Sequence, residues 1–289
     1  MAESQGNFSN GPIVIDDVTC VMSIYHGDKI EWVCKAVNSV LKGTKVPGEF
    51  LIYFDGEVSS TIVKEIDRIK NSANIPVFIY SDTKCRGRAF ARQRLVENAS
   101  REYVMMMDAE DICVPDRLEV QHKFCVENPD VDVVGGWISE FGDDWPKYIR
   151  ATPETNDQIR LRGRFVQPIN HVTMMAKKKA ILSVGVYMDA GSCEDYWLIA
   201  RMMCVGLNLR NIQSVLVNVR VSSDFASRRH GLKKAIDEIK IAKFFRKEGE
   251  LKIIEYSFIV ISRIILRLSP SFFMKQLYYF NRLKNKNIS

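Results

Sequence analysis

Tyr103-Val104-Met105-Met106-Met107-Asp108-Ala109-Glu110-Asp111 decides how the chain is read. Five apolar residues run directly into three carboxylates within four positions. An apolar run of that length with sharp ends reads as a buried parallel strand. Acids crowded just beyond it repel one another unless a cation sits among them. Hard oxygen donors at the carboxyl end of a strand suit Mg²⁺ or Mn²⁺, and such an ion commonly holds a diphosphate. That edge of an open α/β sheet is also where ligands bind. The competing reading is a helix start, because Asp111 and Asp116 flank Pro115 and acids favour that position.

Working outward, the pattern before this stretch alternates. Val18–Tyr25 reads as a strand, Ile30–Leu41 as a helix and Phe50–Phe54 as a strand closed by Asp55-Gly56. Val58–Ile69 is helical, Val77–Tyr80 extended and Gly87–Asn98 helical. This βαβαβαβ order predicts a parallel sheet with right-handed crossovers. No glycine-rich dinucleotide fingerprint follows the first strand. After it, Pro115 opens a helix to Glu127, and Val131–Phe141 is strand-like, with Gly135-Gly136 marking a bend or a close backbone approach. One helix is expected near 155–165, a short strand at His171–Ala176 and a short helix at Lys178–Val184. Gly191-Ser192-Cys193-Glu194-Asp195 leads into a helix over 195–205, and Asn211–Val219 is the last strand.

The bulk numbers fit one large α/β domain with an appendage. The chain has 289 residues, 46% hydrophobic and 26% charged, with a net charge of +6. From Leu251 onward seven Lys and Arg stand against Glu255 alone, so the rest of the chain is neutral. A neutral body argues against a broad nucleic-acid surface. Seven scattered cysteines without a C-x-x-C pair point to reduced thiols and away from zinc. Residues 1–17 read as a loose leader without the basic and apolar regions of a signal peptide. No apolar run has the length of a membrane span.

Several segments, read together, resemble family 2 glycosyltransferases, enzymes of the GT-A fold that use nucleotide sugars. They are Ser23-Ile24-Tyr25, Asp55-Gly56, Gly87 through Arg92, Asp108 through Asp111, and Glu194-Asp195-Tyr196. Pro115-Asp116-Arg117-Leu118, Asn170-His171-Val172-Thr173 and Arg228-Arg229-His230-Gly231 extend the likeness. It is closest to bacterial O-antigen, capsule and exopolysaccharide transferases of the amylovoran-biosynthesis type. The motifs run in register over residues 18–231.

The resemblance implies a GT-A catalytic domain over 18–231. Its nucleotide-binding half would be 18–111 and its acceptor half 112–231, with a helical, basic segment over 232–289. It implies that Ser23, Tyr25, Asp55, Arg92, Asp108, Arg228 and Arg229 bind the UDP-sugar. Asp55 would meet the base, Arg92 would lie near the nucleotide, and Arg228 or Arg229 would face the leaving diphosphate. Asp108, Glu110 and Asp111 would hold Mn²⁺ or Mg²⁺. Glu110 departs from the usual Asp and is one methylene longer, so either the ion shifts or Asp111 takes part. Asp195, with Glu194 beside it, matches the catalytic base. The chemistry asks for the same parts: a cation and an Arg for the leaving diphosphate, and a single carboxylate base for an inverting displacement.

Each residue also has a plainer reading. Asp55-Gly56 makes a turn, Arg92 is one of three arginines on its helix, Glu194 and Asp195 are helix-start acids, and His171 is a core histidine. The resemblance implies transfer of one sugar from a UDP-sugar to a saccharide on a polyprenyl diphosphate carrier, at the cytoplasmic face of the inner membrane. The competing functions are a sugar nucleotidyltransferase and a silent saccharide- or nucleotide-binding subunit. Leu251–Leu268 puts Lys252, Glu255, Arg263 and Arg267 near one helical stripe, with aliphatics elsewhere, and aromatics and basic residues follow it. That pattern suits contact with the inner-membrane surface. Its alternatives are a helix packed on the catalytic domain or a homodimer contact.

Overall fold

A nine-stranded mixed sheet carries the molecule, and its strand order places the carboxyl ends of three central strands side by side. The computed structural model describes residues 12–142, 145–221 and 231–269. The first half follows the alternation read from the sequence. β1 (Ile13–Tyr25), β2 (Lys45–Asp55), β3 (Val77–Asp82) and β4 (Tyr103–Asp108) are parallel in the spatial order β3-β2-β1-β4. The helices α1 (Ile30–Leu41), α2 (Ser60–Ser72) and α3 (Arg88–Asn98) connect them. The first strand starts at Ile13, inside the segment read as a leader, because Ile13–Ile15 pair with Lys45–Pro47.

The run Met105–Met107 is core. Met105 and Met107 pack on one face of the sheet and Met106 on the other, each at most 3% exposed. Alternation of this kind is what a strand buried on both faces requires. The helix after it, α4 (Arg117–Glu127), starts two residues beyond Pro115, with Asp116 at the N-cap position. Arg117 is fully buried and its Nη2 donates to the Met106 carbonyl at 2.9 Å. That bond braces the strand that ends at Asp108.

Beyond β4 the sheet is mixed. β5 (Ile112–Cys113), β6 (Val133–Gly142), β7 (Trp145–Arg150), β8 (Met175–Lys177) and β9 (Leu209–Arg220) continue it. β8 lies antiparallel to both β4 and β6, and β9 is parallel to β6 and antiparallel to β5. Only the last residues of the expected strand over 171–176 are extended. Asn170 folds His171–Thr173 into a 3-10 turn, since its carbonyl accepts from both the N–H and the hydroxyl of Thr173. Local side-chain bonds of this kind compete with the ladder. Gly135 and Gly136 are points of close approach: a Cβ would stand 2.5 Å from Asn211 Oδ1 or 2.4 Å from Leu216 Cδ1.

Four helices cover the second face: α5 (Asn156–Gly163), α6 (Lys178–Ser183), α7 (Glu194–Cys204) and α8 (Leu232–Lys247). A last helix, α9 (Ile253–Leu268), packs along α8. Arg267 makes a bidentate ion pair with Glu238 of α8 at 2.5 and 3.1 Å, and Arg263 reaches the same carboxylate at 3.3 Å. Arg263 and Arg267 of the expected polar stripe thus face the domain, Lys252 is exposed, and most of the apolar side chains face outward. Among the described residues no helix is long and apolar enough to cross a membrane.

Candidate active site

Strand register builds one wall of the site. Tyr25 of β1 lies opposite Asp55 of β2, and Ser23 of β1 opposite Asp108 of β4. The sheet therefore gathers Ser23, Tyr25, Asp55 and Asp108 at one edge. α3 enters above them and α7 closes the far side. Arg228 and Arg229 lie outside the described residues.

Arg92 joins the two sides. It is 6% exposed, unlike its helix neighbours Arg88 and Arg94. Its Nη2 donates to Asp108 Oδ1 at 2.9 Å and its Nη1 to Glu194 Oε1 at 3.0 Å. Arg88 Nε lies 3.3 Å from the same Glu194 oxygen. Burial opposes the charge on Arg92, but the Asp108 and Glu194 carboxylates outweigh it and hold the guanidinium protonated.

Its two acid partners respond in opposite directions. Burial alone raises the Asp108 carboxyl, yet Arg92, with His171 and Arg88, brings it below its ordinary value. Glu194 is raised, first by burial and then by the adjacent Asp195 charge. Neighbouring charge decides the split, since Arg92 and its companions outweigh burial at Asp108 whereas Asp195 adds to it at Glu194. The Asp108 side chain is 38% exposed and keeps access to water, whereas that of Glu194 is 3% exposed with Oε2 unpartnered.

Asp195 sits at the start of α7, and its Oδ1 accepts the Tyr196 N–H at 2.7 Å. Burial pushes its carboxyl up, but His171, Arg92 and the Tyr196 N–H together hold it below the usual range. His171 itself is pushed down to about 3 by burial and by Arg92. The ring is therefore neutral at pH 7, and Arg92 supplies the lasting positive charge. His171 Nε2 meets the Tyr187 hydroxyl at 2.6 Å, and its Nδ1 has no partner.

The loop ahead of Asp195 is fixed from α8. Asp237 Oδ2 accepts from the Ser192 N–H at 3.0 Å and from its hydroxyl at 3.1 Å. Lys234 Nζ donates to the Ser192 carbonyl at 2.8 Å and lies 3.1 Å from Cys193 Sγ. Gly191 has φ +66°, and a Cβ there would stand 2.4 Å from Asp237 Oδ2. Asp237 and Lys234 thus hold the Ser192-Cys193 segment that leads into Asp195. Asp237→Ala is expected to lower kcat roughly tenfold with UDP affinity unchanged, since misplacing a reacting group is costly. A kcat within about twofold of wild type would make the anchor irrelevant to the reaction.

The acids after β4 do not form one cluster. Asp111 is 3% exposed, and its Oδ1 accepts the Arg220 N–H of β9 at 2.8 Å. Burial and the Asp108 charge raise its carboxyl well above the ordinary value. Asp111 therefore ties the loop to β9. Among the described residues, no three His, Cys, Asp or Glu side chains stand close enough to hold an ion by themselves. Asp28, in the turn after β1, is raised to about 7 by burial, with the Glu110 and Asp108 charges adding to the effect. Asp28, Asp108 and Glu110 thus lie near enough at the mouth of the site to feel one another's charge. Mg²⁺ and Mn²⁺ take one or two carboxylates, and phosphates and water complete the shell. Asp108 and Glu110 meet that donor set.

Asp55 is 4% exposed and accepts the backbone N–H groups of Arg86 at 2.6 Å and Gly87 at 2.9 Å. It thereby sets the turn into α3, where Gly87 has φ +89°, a conformation other residues rarely adopt. Beside that turn opens a cavity of about 610 Å³, whose lining includes Arg86, Arg88, Phe90, Tyr187, Met188 and Glu194. This size suits a small ligand. Asp28, Tyr187 and Arg220 lie at the site without a motif to announce them, and Arg88 stood inside the Gly87–Arg92 motif without a role of its own.

Comparison with known proteins identifies the family and the fold. A model described as glycosyl transferase family 2 matches residues 19–187. A UDP-Gal:alpha-D-GlcNAc-diphosphoundecaprenol beta-1,3-galactosyltransferase from Escherichia coli is 32% identical over 262 residues, covering 89% of this chain and 94% of the relative. The amylovoran biosynthesis glycosyltransferase AmsE of Erwinia amylovora is 27% identical, covering 89% of this chain and 96% of its own. The mannosyltransferase PcManGT of Pyrobaculum calidifontis, solved with GDP-Man and Mn²⁺, superposes with a TM-score of 0.61 at 14% identity. That match covers 88% of this chain and 70% of the neighbour. The fold is of the GT-A type.

Proposed function

The chain belongs to glycosyl transferase family 2, and from that premise we propose that it moves one sugar from a UDP-sugar to a saccharide hydroxyl, with inversion. The acceptor is a saccharide on a polyprenyl diphosphate, and the product enters a bacterial surface polysaccharide. By its name, the Escherichia coli relative uses a UDP donor and a diphosphoundecaprenol acceptor, and this acceptor class is carried over from it. The enzyme then works at the cytoplasmic face of the inner membrane, where such a carrier lies.

The observation that carries the reading is the bridge that one buried arginine, Arg92, makes between half-buried Asp108 and Glu194, with the ionised Asp195 next to Glu194 at the start of α7. In the proposed step the acceptor oxygen attacks the anomeric carbon as the bond from that carbon to the diphosphate oxygen breaks. Asp195 takes the hydroxyl proton, and UDP leaves with the electron pair. A single base on the face opposite the leaving group gives inversion. Ser23, Tyr25 and Asp55 form the nucleotide end of the site, and the cavity beside α3 takes a sugar. Glu194, which lines that cavity and has an unpartnered Oε2, is the acceptor there for a sugar hydroxyl. Asp108 and Glu110 would hold Mn²⁺ or Mg²⁺, and such an ion would supply positive charge for the leaving diphosphate.

UDP release from UDP-Glc, UDP-Gal, UDP-GlcNAc and UDP-GalNAc with Mn²⁺ tests this. One donor is expected to dominate. EDTA and Glu110→Ala are each expected to remove nearly all turnover, and calorimetry should find the Mn²⁺ requirement for UDP binding weakened in the variant. Full activity in EDTA sinks the metal-assisted route; release from none of the four donors sinks the UDP-sugar reading.

A further inference from the structure

The helix α9 is amphipathic with its faces reversed. Arg263 and Arg267 turn inward to Glu238, while Ile253, Ile254, Phe258, Ile261, Ile264, Ile265 and Leu268 are 40% to 80% exposed. At about 100° per residue these side chains span an arc of about 140°. Lys252, Glu255, Arg263 and Arg267 all fall outside that arc. The ion pairs on Glu238 therefore fix the apolar face toward the outside. We propose that this face docks on an anionic lipid bilayer, lying in the interface plane and holding the active site beside the membrane.

Two observations choose lipid over a second copy of the chain. First, the arc is wider than the narrow seam of a coiled coil, and no opposite charges flank it to pair two helices. Second, the surroundings are basic. From Gly231 to Ser289 there are thirteen Lys and Arg against five Asp and Glu. Lys233, Lys240, Lys243, Arg246 and Lys247 of α8 are exposed. Two such regions repel each other, whereas an anionic headgroup layer attracts them. Aromatic and basic residues continue in the sequence after α9, at Phe272, Phe273, Tyr278, Tyr279, Lys275, Arg282, Lys284 and Lys286.

The purpose of this surface rests on the lipid-linked acceptor proposed above, but its test does not use donor or acceptor. The full chain is sedimented with vesicles of phosphatidylglycerol and phosphatidylcholine, and with phosphatidylcholine alone, at low and high salt. Binding is expected on the anionic vesicles and is expected to weaken at high salt. The triple variant Ile254→Gln, Phe258→Gln, Ile265→Gln is expected to lose roughly tenfold or more of that binding. Its melting temperature and its UDP release should stay unchanged, since these side chains touch no part of the site. Equal binding by the variant and wild type overturns the proposal. So does a wild-type dimer, seen by ultracentrifugation, that the triple variant breaks without changing vesicle binding, because the face then belongs to a second copy. Binding lost only on removing residues 270–289 overturns it as well, assigning the contact to that segment.

Discussion

Asp195→Asn is expected to lower turnover by roughly 10²–10⁴-fold, the usual contribution of a positioned base. The substitution keeps the shape and removes the proton acceptor. The Tyr196 N–H still finds an oxygen at the helix start, so α7 keeps its first turn. UDP affinity is therefore expected to stay within about threefold of wild type. The acid limb of kcat carries a second signature. Asp195 is held below the ordinary carboxylate range, so it remains ionised as pH falls through the range where free carboxylates protonate. The wild-type kcat should hold there and decline only at lower pH. Glu194→Gln is the control. Glu194 is raised by burial and by Asp195, and its replacement should disturb the contact with Arg92 while leaving the base in place. Turnover of Asp195→Asn within about threefold of wild type would reduce Asp195 to a helix-start acid.

The sequence disclosed the scaffold more fully than the contacts. β1 to β4 and their helices were legible because long apolar runs and helical periods are local signals. β5 and β8 are two and three residues long. β5 was not visible as a strand, and β8 only as the end of the run read over 171–176, because pairs this short extend through hydrogen bonds from neighbouring strands. The same limit applies to charge. Arg88, Arg92 and Arg94 look alike on a helix, and the sequence could not say which is buried. Arg92 is chosen by Glu194, 102 residues away in the chain. Asp111 stood among the acids as an apparent ligand, and nothing in the sequence signalled that its Oδ1 would accept the main-chain N–H of Arg220 on β9. The apolar period of α9 was visible, whereas the direction of its faces depends on Glu238 of a different helix.

The second large effect is expected at Arg92, on stability and activity together. Arg92→Met keeps the length of the side chain and removes the charge shared by Asp108 and Glu194. Asp108 then loses its ion pair, and the deeply buried Glu194 keeps only the longer contact with Arg88. Breaking a buried ion pair from one side costs about 3–5 kcal/mol. For a chain of this size that corresponds to a fall in melting temperature of roughly 6–20 °C. The loss should depend on pH in a defined sense. Asp108 is depressed in the folded protein, so its contribution is present above its unfolded value and is lost as pH falls through the folded one. Without Arg92, both carboxyls favour the protonated form in the folded state. The gap between wild type and Arg92→Met is thus expected to be widest near pH 8 and to shrink as the solution is acidified through the carboxylate range. Arg92→Lys restores the charge but not the fork that reaches both acids at once. It should recover part of the stability, while turnover stays low because a single ammonium cannot hold Asp108 and Glu194 in register. Thermal melts of the three proteins from pH 8 to pH 4 decide the matter: a Met variant that melts within about 2 °C of wild type at pH 8 would mean that the bridge does not hold the two sides of the site together.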